Sequence, residues 1–313
     1  MAIQNVVSIS GGKDSTATLL LAMALDTPNL KAVFADTGNE HQQTYEYLEY
    51  LEQVTGIKIQ HVKADFAPQL AHKRDFIQEK WVLQGISDSI ISRALEVLQP
   101  TGNQFVDLCM WKGRFPSRKA QFCTQELKVY PVIEQCFFPM TDSGDIVYSW
   151  QGVRRDESEN RRYVKEFEEM GGGIFNYRPI CKWPASATFE AMQYMGIKPN
   201  PLYLQGSDRV GCMPCINCSK SELANIAARH PEHIEKIREW ERLVSFASKR
   251  GESTFFTPSN DPTTKKTDVI THLTHGIDRM VQWSKTQRGG RKLDLFAIEE
   301  DTKECASAYG LCE

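Results

Sequence analysis

Over the first sixty residues the hydrophobic pattern switches repeatedly between strand-like and helix-like periods. Asn5-Val6-Val7-Ser8-Ile9 is a short β-branched run, and Ser10-Gly11-Gly12-Lys13-Asp14-Ser15 is a turn. Thr16 to Leu25, rich in Ala and Leu, reads as a buried helix. Lys31 to Ala35 is a second strand, Asp36-Thr37-Gly38-Asn39-Glu40 a polar turn, 41–54 a helix, and Ile57 to Val62 a third strand. This alternation predicts an α/β fold, a doubly wound parallel sheet with helices on both faces.

Between 67 and 121 the pattern blurs. Helices are expected near Leu70 to Lys80 and Ser89 to Val97, followed by a loop over Trp111 to Ser117. Asp145 to Trp150 reads as a further strand and Asn176 to Ile180 as another. Ala185 to Met195 is a helix with Ser186 as N-cap and Gly196 past its end. Helices are also expected over Lys220 to Ala228 and Pro231 to Lys249, with an irregular extension after residue 250. The resulting division is an α/β domain over 1–184, a helical cysteine-bearing segment over 185–250, and a C-terminal extension over 251–313.

The 313 residues are 41% hydrophobic and 25% charged, which excludes global disorder, collagen and coiled coil. No stretch approaches the roughly 20 apolar residues of a membrane helix, and no secretory signal opens the chain. The expectation is a cytoplasmic protein. With 37 basic against 40 acidic residues, the balance argues against a chain that grips a long duplex mainly through phosphates. Nine cysteines are many, and in a reducing compartment they favour metal ligation or redox chemistry over disulfides.

The turn at 10–15 has the chemistry of an anion nest. Gly11 and Gly12 let successive N–H groups converge at a helix N-terminus, Lys13 adds a cation, and Ser10 and Ser15 add hydroxyls. The combination suits pyrophosphate, though its spacing is not that of a Walker A loop. Arg154-Arg155-Asp156-Glu157 directly ends a strand, where two guanidinium groups can meet anionic oxygens bidentately or form a solvated charge run. Cys212-Met213-Pro214-Cys215-Ile216-Asn217-Cys218 has the Cys-x₂-Cys-x₂-Cys spacing of [4Fe–4S] cluster loops. Zinc is the rival, but two successive x₂ steps crowd a tetrahedral ion and fit a cube better.

These segments resemble the phosphoadenosine-phosphosulfate (PAPS) reductase family of the adenine-nucleotide PP-loop superfamily. Ser10 to Ser15 matches its SGGKDS loop, Asp36 to Glu40 its second-strand turn, Cys123-Thr124-Gln125-Glu126-Leu127-Lys128-Val129-Tyr130-Pro131 its cysteine segment, and Gly152 to Ser158 its Gly-x-Arg-x-Asp-Glu-Ser segment. The resemblance covers about residues 4 to 240. It implies an adenine nucleotide at the C-terminal edge of the parallel strands, as open α/β sheets generally favour. Ser10, Gly11, Gly12, Lys13, Asp14 and Ser15 would hold phosphate, Asp36 would serve ribose, adenine or Mg²⁺, Arg154 and Arg155 would clamp the anion, and Cys123 would complete the cluster's ligand set.

The full loop departs from thiol-linked PAPS reductases, whose substrate has no β/γ-phosphates. Keeping it favours ATP and an adenylation that releases pyrophosphate, serving sulfur transfer as in thiolation relatives. Lys13, Asp14, Arg154 and Arg155 are then the catalytic candidates. Two alternatives stay open: reduction of an adenylyl sulfate to sulfite through the tail thiols Cys305 and Cys312, and a non-catalytic nucleotide and cluster sensor. A sulfur donor protein or thiol reductant, a nucleic-acid acceptor and a homo-oligomer are the partners these readings admit; a membrane is not. Trp111-Lys112 and Arg114-Phe115 interleave rings with cations, as single-strand binding surfaces do and as ordinary loops also do. Cys109, Cys136 and Cys181 read as packing residues, and His230 and His233 as capping or surface groups.

Overall fold

A continuously apolar strand is stable only when both its faces are covered, and the opening strands meet that condition. The computed structural model describes residues 1–287. Strands β1 (Ile3–Ile9), β2 (Leu30–Asp36), β3 (Ile59–Lys63), β4 (Ile146–Trp150), β5 (Phe167–Gly171) and β6 (Ile174–Tyr177) form one sheet in the order β3-β2-β1-β4-β6-β5. All neighbours run parallel except β5, which pairs antiparallel with β6. Strand order reverses between β1 and β4, so the crevice beyond their C-terminal ends is the ligand position of an open α/β sheet.

Side chains of period two divide the core. Val7, Ile9, Ala32, Phe34 and Ile59 point to one face, where they meet α1 (Lys13–Ala24) and α2 (Gln42–Thr55) through Leu19, Ala22, Leu48 and Leu51. Val6, Val33, Ala35, Val62 and Val147 point to the other, against Val132, Cys136 and Phe137 of the helical run α6 (122–141). The helix α7 (Ala185–Tyr194) packs on α1, which explains why α1 is buried on nearly every side.

Two compact units emerge, and they interleave in sequence. The first comprises 1–64 and 124–213, with the whole sheet; the second comprises 65–123 and the described residues after 213. The expected segments, ending at 184 and 250, were consecutive instead. The second unit is helical: α3 (Ala67–Phe76), α4 (Asp88–Val97), α5 (Gln104–Lys112), α9 (Lys220–Arg229), α10 (Pro231–Ala247), α11 (His272–His275) and α12 (Ile277–Ser284), while the short α8 (Pro201–Leu204) belongs to the first. Its core is aromatic, with the Phe105 ring 5.3 Å from Trp240 and the Phe115 ring 5.3 Å from Phe255.

Several expectations need correction. Trp111 and Lys112 end α5 rather than opening a loop. Ser186 lies inside α7, whose N-cap position is Pro184. The strand expected over 176–180 ends at Tyr177, because Arg178 turns into a buried network and Pro179 has no N–H for a ladder. The region after 250 is not wholly irregular, since α12 buries Ile277, Met280 and Ser284 along one face. His230 stands at the C-cap position of α9 and the N-cap position of α10, as a capping group would, but it and His233 are buried rather than at the surface, with rings 6.2 Å apart and edge-on. Cys109, Cys136 and Cys181 are buried, as packing residues should be. Cys305 and Cys312 lie outside the described residues.

Glu241 ties the second unit together. Its buried carboxylate accepts N–H groups from Phe255 at 2.7 Å and Ile277 at 2.8 Å. Burial pushes its pKa up to about 7, and the two N–H bonds oppose the rise without cancelling it. Between its ordinary 4.5 and about 7 the folded state therefore holds a proton that the unfolded state has lost, so stability falls as pH rises through that window. Urea midpoints should decline from pH 5 to pH 8 in the native chain, and Glu241→Gln should remove most of that decline.

Candidate functional site

The first unit places the 10–15 loop at the end of β1, beside the loop that follows β4. Its curl is held by its own side chains. Ser10 N–H donates to Ser15 Oγ at 3.1 Å, the two serine hydroxyls lie 3.0 Å apart, and Gly12 N–H donates to Ser10 Oγ at 3.3 Å. Thr16 N–H and its hydroxyl both donate to Gly12 O, at 3.1 and 2.8 Å. Gly11 has φ +79°, and a Cβ there would lie 2.9 Å from Thr44 Cγ2, so glycine is required on both counts.

Two residues from far along the chain complete this loop. Asn200 Nδ2 donates to Gly11 O at 3.2 Å, and Lys13 N–H donates to the Tyr203 hydroxyl at 2.9 Å. A hydroxyl oxygen thus already occupies an amide that an anion's oxygen would use. The Lys13 ammonium lies 5.7 Å from the Tyr203 ring centre and 3.7 Å from Asp14 Oδ2.

Asp14 does not face the crevice. It is fully buried and accepts from Arg154 Nε at 2.8 Å; Arg154, 4% exposed, also pairs with Asp156. Burial alone would favour neutral arginine, but Asp14 and Asp156 outweigh it and keep the guanidinium charged. Between these groups Gly152 makes a close backbone approach: a Cβ there would lie 2.7 Å from Asp14 C and Ser15 N. Asp14 and Arg154 are therefore positioning residues that fasten the loop after β4 to the start of α1.

Arg155 is turned elsewhere. Its guanidinium donates twice to Val164 O, at 3.1 and 2.9 Å, so it anchors the loop before β5 rather than joining Arg154. Asp36, at the end of β2, accepts from Gly38 N–H at 2.9 Å, the Tyr45 hydroxyl at 2.8 Å and Lys63 Nζ at 2.8 Å. Burial raises its pKa, but these three donors more than offset that and leave it below the usual carboxylate range. Three donors fill most of its lone pairs and Lys63 balances its charge, so Asp36 suits shaping the turn better than direct ligation of Mg²⁺.

Cys212 rests on that same turn. Its sulfur lies 3.5 Å from Thr37 Oγ1 and 3.9 Å from Glu40 Oε1, and Met213 N–H donates to Asn39 O at 2.7 Å. Burial pushes the Glu40 pKa up, against the nearby Lys128 charge and the Thr37 bond. In the second unit, Asn217 N–H donates to Cys215 Sγ at 3.5 Å and Cys218 N–H to Cys215 O at 3.0 Å. Cys123 also lies in the second unit, at the start of the helical run and close enough to Cys109 to raise that thiol's pKa, after burial. No disulfide forms among the described residues.

Other contributors carry no local sequence signal. Gln151 bonds Asn176 at 2.8 Å and accepts from Arg178 Nε at 2.9 Å, a buried polar network beneath the loop after β4. Tyr203 sits 190 positions from its partner Lys13, too far for any spacing rule. Asn200 was the more legible, since an Asn before Pro201 marks a helix N-cap.

A family model for the phosphoadenosine phosphosulfate reductase domain matches residues 4–218. The chain belongs to that family. The match to the PAPS reductase family ends on Cys218, short of the resemblance expected to about residue 240. An uncharacterised 37.8 kDa protein from the gpa 5′ region of Escherichia phage 186 is 48% identical over 324 residues, spanning 99% of this chain and 96% of that one. The nin region protein ORF290 of Escherichia phage lambda is 26% identical, over 74% of this chain and 72% of that protein. An uncharacterised protein of Methanocaldococcus jannaschii is also 26% identical, and this PAPS reductase family member spans 41% of its length. A solved PAPS reductase from Candida auris, in a phosphate complex, superposes with a TM-score of 0.40 at 15% identity, over 68% of this chain and 82% of that one. No helix among the described residues is long and apolar enough to cross a membrane.

Gly152→Ala should be costly, because the added methyl meets backbone that cannot swing away. The expected loss is about 1–3 kcal/mol of unfolding free energy in urea. An unchanged value would mean that the close approach at Gly152 is not a constraint.

Proposed function

We propose that this PAPS reductase family member binds ATP at the Ser10–Ser15 loop and adenylates an acceptor oxygen, in the service of sulfur transfer. The observation that carries the reading is the intact, internally braced glycine loop at the point where the strand order reverses. A nest of that kind, with Lys13 beside it, suits the β- and γ-phosphates that ATP has and PAPS lacks. In the step proposed, the acceptor oxygen attacks the α-phosphorus and the bond from that phosphorus to the bridging oxygen breaks. The electron pair leaves with pyrophosphate, and the acceptor's proton passes to solvent. Lys13 binds the leaving pyrophosphate, joined by its own N–H once a phosphate oxygen replaces the Tyr203 hydroxyl there, and preorganised charge of this kind is the main source of catalysis in such a transfer. Mg²⁺, held mainly by the phosphates and water, would neutralise developing charge.

A [4Fe–4S] cluster is proposed on Cys123, Cys212, Cys215 and Cys218. The donor set supports it: all-thiolate ligands suit iron–sulfur or zinc, and Cys215 already accepts an N–H, the kind of bond that tunes cluster sulfurs. When bound, such a cluster would supply redox or sulfur-carrying chemistry to the activated acceptor. The chain's own part is to present the thiolates.

Anaerobic purification should yield a coloured protein with iron and sulfide in equal amounts; one zinc per colourless chain would overturn the cluster. Calorimetry should show ATP binding that Lys13→Ala weakens by roughly 10- to 100-fold, the worth of a charge-assisted contact. Binding of PAPS without ATP, with sulfite as product, would replace the proposal by the reductase reading.

A further inference from the structure

The second unit contains a large open groove of about 1010 Å³ that the nucleotide reading does not use. Four chain segments form it: the end of α3 and the turn after it, the end of α5 with the loop to Ser117, the loop after α10, and Ile270. Over 65–123 and 214–287 the chain carries 19 Lys and Arg against 15 Asp and Glu, whereas the first unit carries 14 against 19. The charge asymmetry is sharper in the groove, where Lys73, Lys112, Arg114, Lys249 and Arg250 face a single acid, Glu252. That acid is already paired with His272, at 2.6 Å.

Architecture makes the groove a built feature. The Lys73 ammonium donates to Met110 O at 2.6 Å and Ala247 O at 2.8 Å, which draws the ends of α5 and α10 together at its base. Gly113 ends α5 at φ +66°, where a Cβ would approach Lys73 Nζ to 3.2 Å, and so directs the following residues outward. Phe115 belongs to the aromatic core, so of the two readings open for Arg114-Phe115 a surface stack on that ring drops out. The accessible rings are instead Phe76, 44% exposed, and the half-buried Trp111. Lys112 Nζ lies 3.6 Å above the Trp111 ring.

We infer that this groove binds single-stranded nucleic acid. Three features select that ligand class. Its cations are spread over separate segments, which tracks a chain of phosphates better than one phosphate group. Its volume is at the upper limit of ordinary small-molecule sites, roughly 300–1,000 Å³. Its rings sit among the cations, the arrangement on which successive bases stack. Magnitudes agree: a half-buried cation–π contact such as Lys112 on Trp111 is worth about 0.5–2 kcal/mol, and a stacked base about 1–3 kcal/mol. A base can therefore displace Lys112 from the ring and leave its ammonium for a phosphate. An acidic peptide would satisfy the cations and leave the rings unused.

The test uses the full chain and a fluorescein-labelled oligothymidylate of about ten nucleotides, read by anisotropy across salt concentrations. Binding is expected, with log K falling linearly in log salt by roughly 0.7 per phosphate contacted. Lys112→Ala with Arg114→Ala, and separately Lys249→Ala with Arg250→Ala, should each weaken binding at least about tenfold and flatten that slope by roughly 1.4. Phe76→Ala should weaken binding roughly 5- to 100-fold with little change in slope, as a stacking contact does. Circular dichroism confirms that each variant is folded, and two independent cationic pairs keep the test alive if one is not. Absence of binding at low salt, variants that bind like the native chain, or displacement as effective by duplex DNA or by polyglutamate of equal charge would each overturn the proposal.

Discussion

Arg154 keeps its charge in a place almost without water because Asp14 lies 2.8 Å away. A buried ion pair of this kind adds little net stability, since desolvation consumes most of the attraction, but losing one partner leaves an uncompensated charge and costs several kcal/mol. The pair therefore acts as a constraint more than as a source of free energy. It fixes the loop after β4 against the first turn of α1, and with the contact at Gly152 it sets the distance between two chain segments 140 positions apart. The glycine curl at 10–13 inherits its position from that fastening. Tyr203 and Asn200 then brace the curl from the opposite side in sequence.

Much of this arrangement is legible in the amino-acid sequence. The apolar runs at 5–9 and 31–35 and the helices between them specify a parallel sheet, because each strand needs cover on both faces. Gly11 and Gly12 mark the nest by composition, and Gly152 and Arg154 lie in a motif next to a strand end. The sequence could not show that Asp14 points inward, because a carboxylate's direction depends on which cation the fold brings beside it. Arg155 is drawn away from Arg154 for a related reason: it lies in a turn beyond the end of β4, and the Val164 carbonyl captures its guanidinium. Helix α5 and the run at 122–141 were harder to read, since their buried faces meet aromatic and mixed α/π surroundings that blur the 3.6-residue period.

The two units differ in chemical character. The first is acidic, carries the sheet, and concentrates its buried polar bonds where the strands end. The second is helical and basic, has an aromatic core, and opens a groove lined by cations. Cys212 rests on the turn after β2, while Cys215 and Cys218 belong to the helical unit, so the cysteine run spans the passage of the chain from one unit to the other. Family membership covers this stretch up to its third cysteine. The nucleotide proposed for the glycine loop and the extended anion proposed for the groove accordingly fall on different units, with separate residues responsible for each.

The most direct measurement is a double-mutant cycle on the fastening itself, with Asp14→Asn, Arg154→Gln and both together, each unfolded in urea. Each single change should cost about 3 kcal/mol, and the double change should cost less than the sum by about 1–3 kcal/mol, because removing both charges leaves neither one stranded. Costs that add to within about 0.5 kcal/mol would contradict the account, since the two groups would then be energetically independent.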